Sequence, residues 1–303
     1  MEVSLHRLKL LRELRHRGTV TAVADALHYS PSAVSQQLAQ LEREAQTTLF
    51  RRIGRRITLT EAGRVLADHS EEILDAVESA GNAIELLREG TTASLTAGVW
   101  ASVATGLLPT GLGLLAARSP GIEVQTVELE PEAGSDAVRD GSLDLAFVID
   151  YSNYAMPQVR TLERRLVAVE RLSVAARAGT LGTEPIELAE LAGRGWILSD
   201  ARSHFGRAVR LACRDAGFDP DVHHAVGEQS TALALAAAGL GVTLVSDLGA
   251  MGLPGGVQLT PLAGRFERNL FIAYRSRDAD REPLAAFIDA MVDGAAELGL
   301  RTG

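Results

Sequence analysis

Apolar residues recur at helical spacing from the start of the chain. Leu5, Leu8, Leu11 and Leu14 predict an amphipathic helix over 5–17 with these leucines inward. A short helix is predicted over 22–27, and His28, Tyr29, Ser30 and Pro31 turn the chain. A third helix is predicted over about 32–44. Ala33, Val34, Gln37, Leu38 and Leu41 give it one mostly apolar face. The opposite face carries Ser32, Ser35, Gln36, Ala39, Gln40 and Arg43, with acids only at the far end, Glu42 and Glu44. A helix that reads base edges in a major groove needs such short polar groups on a small core. Arg51, Arg52, Arg55 and Arg56 then flank Ile53 and Gly54, a basic hairpin suited to gripping phosphates beside that helix.

The stretch 61–89 contains no proline. Leu66, Ile73, Ala80 and Leu87 fall every seven residues, and Ser70, Val77 and Ile84 repeat at the same period, offset by four. This heptad pattern predicts one long helix with a stripe that it cannot bury alone, and a dimer seam is preferred to packing within its own domain. Residues 90–94 read as a polar hinge. Strands over 95–99, 122–128 and 143–149 then alternate with helices over 105–118 and 132–140. That alternation predicts a parallel sheet with helices on both faces. A second unit follows, with strands near 172–176, 196–199, 223–226 and 242–245 and helices near 186–191, 203–217 and 230–238. A last strand over 270–274 and a last helix over 282–298 complete the pattern.

The chain has 303 residues, 46% of them hydrophobic and 23% charged, enough for two or three domains. No apolar run reaches membrane-spanning length, and the N-terminus lacks a signal-peptide core. A single cysteine, Cys213, excludes an internal disulfide and fits a reducing cytoplasm. It reads as a small buried residue on a helix. The net charge of −9 runs against nucleic-acid binding, but its distribution does not. Residues 1–60 hold ten Lys and Arg against five Asp and Glu, while the rest hold 20 against 34. A basic head on an acidic body directs the head at DNA.

Spacings that carry catalysis are absent: there is no HExxH, CxxC, GxSxG or P-loop. The seven histidines are scattered, and His223 and His224 are neighbours in a predicted strand, where they cannot face one site. Gly239-Leu240-Gly241 is a helix-to-strand turn, the reverse of a dinucleotide fingerprint. No enzyme, metal site or cofactor is expected.

The order helix, turn, helix, basic hairpin and Leu59-Thr60-Glu61-Ala62-Gly63 resembles the LysR-type family of bacterial transcription regulators. The matching residues are Ala22, Ala24, Leu27, Ser30, Ala33, Val34, Ser35, Leu38, Leu41, Glu42, Leu49, Phe50, Arg52, Arg55, Leu59, Thr60, Ala62 and Gly63. Two steps depart from the family pattern. Pro31-Ser32 follows the turn serine, and Ala45-Gln46 stands where Leu-Gly is usual, which removes a glycine C-cap. The resemblance implies an α/β protein in three parts: a winged helix-turn-helix over 1–60, a linker and dimerisation helix over 61–90, and a two-lobed effector domain over 94–303. That last part would resemble type 2 periplasmic solute-binding proteins. Lobe I would comprise 94–164 and 267–303, lobe II 165–266. Here the resemblance rests on spacing and on the AAAGLGVTLVS segment at 236–246.

Candidate DNA-binding residues are Thr19, Thr21, Ser30, Pro31, Ser32, Ser35, Gln36, Gln40, Arg51, Arg52, Arg55 and Arg56. Ser32, Ser35, Gln36 and Gln40 face bases, and glutamine can pair bidentately with adenine. Ser30 is read first as a helix cap. The dimer seam is Leu66, Ser70, Ile73, Val77, Ala80, Ile84 and Leu87. Effector-binding residues are placed by topology, since ligands of open α/β lobes sit beyond the carboxyl ends of strands. They are Trp100, Ser102, Val103, Asp150, Tyr151, Ser199, Ser203, His204, Phe205, Gln229 and Ser246. For Ser102 and Ser203, plain helix capping is an equal reading. Helix N-termini favour an effector with a carboxylate or similar anionic group; Asp150, Glu228 and Asp247 argue for an amine, so an amino-acid-like zwitterion stays open. The expected protein is a cytoplasmic, nucleoid-associated regulator, a homodimer or homotetramer. It would bind double-stranded operator DNA under control of a small-molecule effector, with RNA polymerase as a further partner if it activates, and no membrane partner. Two alternatives stay open: an architectural DNA binder without an effector, and a solute-binding or enzymatic α/β protein with an unrelated basic head.

Overall fold

The computed structural model describes residues 3–53, 56–89 and 93–302. The chain divides into two compact units, Met1–Gly90 and Thr91–Gly303.

The first unit runs α1 (Leu5–Arg17), α2 (Val20–Leu27), α3 (Pro31–Ala45), β1 (Phe50–Ile53), β2 (Arg56–Leu59) and α4 (Glu61–Glu89). Thr19 and Ser30 start α2 and α3 by accepting the N–H of Ala22 and Ala33 at 3.2 Å. Two apolar clusters hold the helices. Leu8 and Leu11 pack with Leu41, Leu49, Ala67 and Leu74, while Leu10 and Leu14 pack with Val23, Val34 and Leu38. Leu5, expected inward, is 40% exposed, and Leu10 is buried instead. The reason is that α1 has two packing partners, α4 on one side and the α2–α3 pair on the other. Its leucines therefore split into two stripes rather than one. The glycine missing at the end of α3 is replaced by strain: Gln46 itself takes the left-handed conformation at φ 51°.

The second unit runs β3 (Ala93–Val99), α5 (Ala101–Gly106), α6 (Leu108–Arg118), β4 (Ile122–Glu128), α7 (Pro131–Arg139), β5 (Leu145–Tyr151), β6 (Leu162–Arg177), β7 (Gly195–Leu198), α8 (His204–Asp215), β8 (Asp221–Ala225), α9 (Gln229–Ala237), β9 (Thr243–Ser246), β10 (Val257–Pro261), β11 (Glu267–Arg275) and α10 (Glu282–Glu297). In one lobe the strand order is β4-β3-β5-β11-β6, with β3 parallel to β4 and β5. β11 lies antiparallel to β5 and to β6, which returns the end of the chain to this lobe. The far half of β6 pairs with β10 and β9 and so opens the second lobe. There β7 lies parallel to β8 and reaches β9 through a Trp196–Val242 bridge. β6 and β11 are thus the strands that cross between lobes.

Four elements differ from the sequence expectation, and one of them, β10 (Val257–Pro261), is a strand where none was expected. The helix expected over 105–118 is two, α5 and α6, broken at Leu107. Pro109 lies in the first turn of α6, where its missing N–H costs nothing, but it cannot extend α5. The helix expected over 186–191 shrinks to a 3-10 turn, Leu188–Leu191. β6 starts ten residues before the strand expected at 172, because its charged first half, Leu-Glu-Arg-Arg, masks the apolar signal. Among the described residues, no helix is long and apolar enough to cross a membrane.

Gly63 locks the start of α4 to the hairpin. A Cβ there would lie 2.1 Å from the Leu49 carbonyl oxygen, whereas at Gly81 it would meet nothing within 4 Å. Gly63→Ala is expected to destabilise the first unit by about 1–3 kcal/mol. Gly81→Ala should stabilise it by roughly 0.5–1 kcal/mol. Urea midpoints of the two variants should move in opposite directions.

Candidate functional site

The first unit presents α3 with Val34, Leu38 and Leu41 buried and Ser32 and Gln36 exposed on the other face. Ser35 is half-buried between these faces. Gln40 is half-buried and tied, donating through Nε2 to Glu44 at 2.9 Å; Glu44 is in turn paired with Arg7 at 2.7 Å. Ser30 and Thr19 are spent as caps, and Pro31 fills the first helical position. Thr21 and Arg51 are exposed. Arg55 lies outside the described residues, as do the side chains of Arg52 and Arg56. Glu42 has a role that its position at the helix end hides in the sequence. One carboxylate oxygen accepts the N–H groups of Leu49 and Phe50 at 2.8 and 3.0 Å, fastening the hairpin to α3.

The seam on α4 needs correction. Ser70 is fully buried and donates to the Leu66 carbonyl, and Leu66 packs with the head's own core. These two residues belong to the contact with α1, which takes the heptad's first turn. Ile73 and Val77 are 43% and 47% exposed, Ala80 is also exposed, and Val65 joins them at 51%. The side chains of Ile84 and Leu87 lie outside the described ones.

In the second unit the sequence-derived effector residues separate into three groups. Val103 is plain core, and Trp196, at the start of the strand expected near 196–199, is fully buried against Phe218. Ser203 caps α8 by accepting the Gly206 N–H at 3.0 Å, and it shares a hydrogen bond with Ser199 at 2.7 Å. Ser246 accepts the Gly249 N–H at 3.3 Å, and Gln229 reaches the Leu244 carbonyl at 3.4 Å. These are local structural bonds. The third group converges between the lobes. Trp100 donates to Ser102 at 3.0 Å, and Arg268 reaches the same hydroxyl at 3.2 Å. Tyr151 is buried beside His204, Phe205 and Phe266. Asp150 pairs with Arg164 at 3.1 Å and accepts the Met156 N–H at 2.7 Å.

Arg268 and Glu170 organise this third group, and neither was singled out from sequence. They face each other across β11 and β6, joined at 2.6 Å and both almost fully buried. Burial and the neighbouring Glu170 raise the Tyr151 phenol well above its ordinary range, with Arg268 opposing. The only available signal was an alternation of charge within predicted strands, which reads as solvent-facing. A separate groove of about 270 Å³ lies between α8 and the loop 262–266, lined by Asn153, Leu188, Ala212, Leu262 and Phe266. None of the sequence-derived effector residues lines it. Cys213 is buried on α8, and burial pushes its thiol up to about 12. Among the described residues, no cluster of three His, Cys, Asp or Glu could hold a metal ion.

A winged helix-turn-helix head and a two-lobed α/β body define the architecture of a DNA-binding regulator with a second, ligand-binding type of domain. Comparison with known proteins gives the family. Residues 5–64 match the bacterial regulatory helix-turn-helix protein model of the lysR family, and residues 88–296 match the LysR substrate binding domain. The chain belongs to the LysR family: it is a DNA-binding transcriptional regulator with an effector-binding domain, not an enzyme. The probable RuBisCO transcriptional regulator of Trichormus variabilis is 34% identical over 145 residues, 48% of this chain and 43% of that protein. The match thus spans under half the length of that relative. The probable regulator LrrA of Synechococcus elongatus is 26% identical over 300 residues, 98% of this chain and 99% of its own. Among solved structures, CbnR bound to its target DNA has a TM-score of 0.62 at 22% identity, covering 97% of this chain and 100% of that one. The OxyR C206 mutant of Corynebacterium glutamicum gives 0.61 at 22% identity, over 98% and 93%. These two likenesses establish the fold.

Two predictions come from the buried groups. Glu170→Gln leaves Arg268 uncompensated and should cost about 3–5 kcal/mol, while the double replacement Glu170→Met/Arg268→Leu should recover most of it. Denaturant midpoints of the second unit's transition measure both. Burial also holds the His204 imidazole below the ordinary histidine value, against the opposing pull of Glu132 and Asp150. The unfolded chain therefore binds this proton more readily. The stability held at neutral pH is lost as pH falls through about 6.5, fully so below the depressed folded value. Between about pH 7.5 and pH 5.5 the melting temperature of His204→Leu should fall less than that of the wild type.

Proposed function

We propose that this regulator reads its operator through Ser32, Ser35 and Gln36, with Gln40 held in reserve by Glu44. The arginines of the hairpin grip phosphate. The partition of α3 carries this reading: its apolar face is buried and its short polar face is open. A related fold has been solved with its target DNA. Thr19, Ser30 and Pro31 shape the turn and bring backbone N–H groups toward the phosphates. The protein acts as a homodimer or homotetramer in the cytoplasm, at the nucleoid. Ile73, Val77 and Ala80, joined by Val65, form the assembly stripe that a single copy leaves open. An effector binds between the lobes of the second unit, where Ser102, Tyr151, His204 and Arg268 converge, and biases two arrangements of those lobes. Target genes are activated or repressed accordingly, with RNA polymerase as the partner in activation.

Gln36→Ala should lose about 1–3 kcal/mol on the operator and relax its sequence preference. Arg51→Ala should weaken binding to all duplexes alike and flatten the salt dependence by about one phosphate. Gel shifts on operator and scrambled DNA at several salt concentrations separate the two; equal loss on both duplexes for Gln36→Ala would remove α3 from base reading. Ile73→Glu/Val77→Glu places like charges in the stripe and should lower the oligomeric mass seen by light scattering and shorten the footprint. An unchanged mass would place the interface elsewhere.

A further inference from the structure

The N-terminus of α8, where an anionic ligand would sit, is already taken. The His204 backbone N–H donates to the Glu132 carboxylate, so an acid on α7 of one lobe closes onto a helix of the other. The cations nearby are engaged as well. Arg268 is bound to Glu170 and Ser102, and Arg207 to the Tyr154 hydroxyl at 3.1 Å; Arg164 is neutralised by Asp150 at 3.1 Å and lies over the Phe271 ring, although its Nε has no hydrogen-bond partner. What stands open at the rim is negative. Glu128, Glu130, Glu132 and Glu228 are all exposed. Their mutual repulsion, with partial burial as the larger cause, holds the Glu130 carboxyl above its usual range. Carboxylates at helix N-termini are common on their own account, since they complement the dipole. That accounts for Glu130 and Glu132 on α7 and Glu228 at α9, but not for their meeting across the cleft.

A second observation lies behind Glu132. His204 is 5% exposed, and its Nε2 has no hydrogen-bond partner. The other ring nitrogen, Nδ1, faces the Tyr154 backbone, which favours a proton there. Burial disfavours the charged imidazolium, and with the proton on Nδ1 the Nε2 atom is a lone-pair acceptor, buried without a donor. The ring lies against Tyr154 and Tyr151, at 4.7 and 5.7 Å between centroids, and within Coulombic reach of Glu132 and Asp150. An unmet acceptor, aromatic faces and surrounding carboxylates together describe the complement of an N–H-bearing cation.

We infer that the effector carries a primary ammonium or guanidinium group, which takes Glu132 from the N-terminus of α8 and donates to His204 Nε2. This rests on the reading of the cleft as the effector site. Glu132 is the gate: in the arrangement described here its carboxylate is held by the backbone N–H of His204, and exchanging that partner frees it. Because that carboxylate bridges the lobes, the exchange breaks an inter-lobe bond when the ligand binds. Ligand binding therefore favours one lobe arrangement over the other, as control of DNA binding requires. The anionic effector favoured by helix dipoles alone loses its place, since the protein's own carboxylate fills it.

The test uses the full chain at fixed ionic strength. Thermal shifts are recorded with 1,4-diaminobutane, agmatine, choline and succinate, in the wild type, Glu132→Gln and His204→Phe. The two amines should raise the melting temperature saturably. Choline, which has charge but no N–H, should not, nor should succinate. Glu132→Gln keeps an oxygen for the His204 N–H and His204→Phe keeps the ring, so both should fold as the wild type does by circular dichroism. Each should weaken the amine response roughly tenfold. Equal shifts from choline, or amine shifts unchanged in both variants, would overturn the inference. A shift from succinate alone would refute the ligand class and leave the cleft standing. No shift from any of the four would count against both.

Discussion

Glu170 and Arg268 meet across the two strands that carry the chain between lobes, in a place that water does not reach. Removing two charges from water costs several kcal/mol each, so such a pair holds only where the remaining lone pairs and N–H groups also find partners. Here each partner recruits an element. The second oxygen of Glu170 accepts the Leu248 N–H from the turn after β9, and the second arm of Arg268 reaches Ser102 on α5. Gly106 lets these two elements approach, since a Cβ there would lie 2.9 Å from the Leu248 side chain. The hinge is polar and dry at once. Prising it open would uncover charge before it uncovered apolar surface.

The head was legible in the sequence almost residue by residue, because short helices around a small core leave little freedom. The apolar face of α3 and the turn at Ser30 came from spacing alone. The errors came where an element has more than one partner. Leu5 looked buried because one stripe was assumed for α1, and Ser70 looked like a seam residue because the heptad cannot tell an intramolecular from an intermolecular neighbour.

In the body, strands covered on both faces announced themselves as apolar runs, whereas β6 did not. Its first half alternates Leu, Glu, Arg and Arg, a pattern that ordinarily marks a solvent face, and Glu170 lies further along the same strand. The site suffered likewise. Topology brought out the strand ends, and Trp100, Ser102, Tyr151 and His204 do gather there. Yet serine at a helix start is ambiguous between cap and ligand contact, and Ser203 and Ser246 proved to be bonded locally. A buried charge pair cannot be seen one residue at a time, because its partners lie 98 positions apart.

One carboxylate, that of Glu42, carries a consequence for how such a regulator can be controlled. It fixes the hairpin to α3, and Gly63 fixes the same hairpin to the first turn of α4. In the proposed mode of binding, sequence reading by α3 and phosphate grip by the hairpin are therefore set in one casting and cannot be tuned apart. A signal that loosened the grip would blur the reading as well. In the proposed dimer, selectivity is left to geometry outside each head: the distance and angle at which two such castings are presented to one duplex.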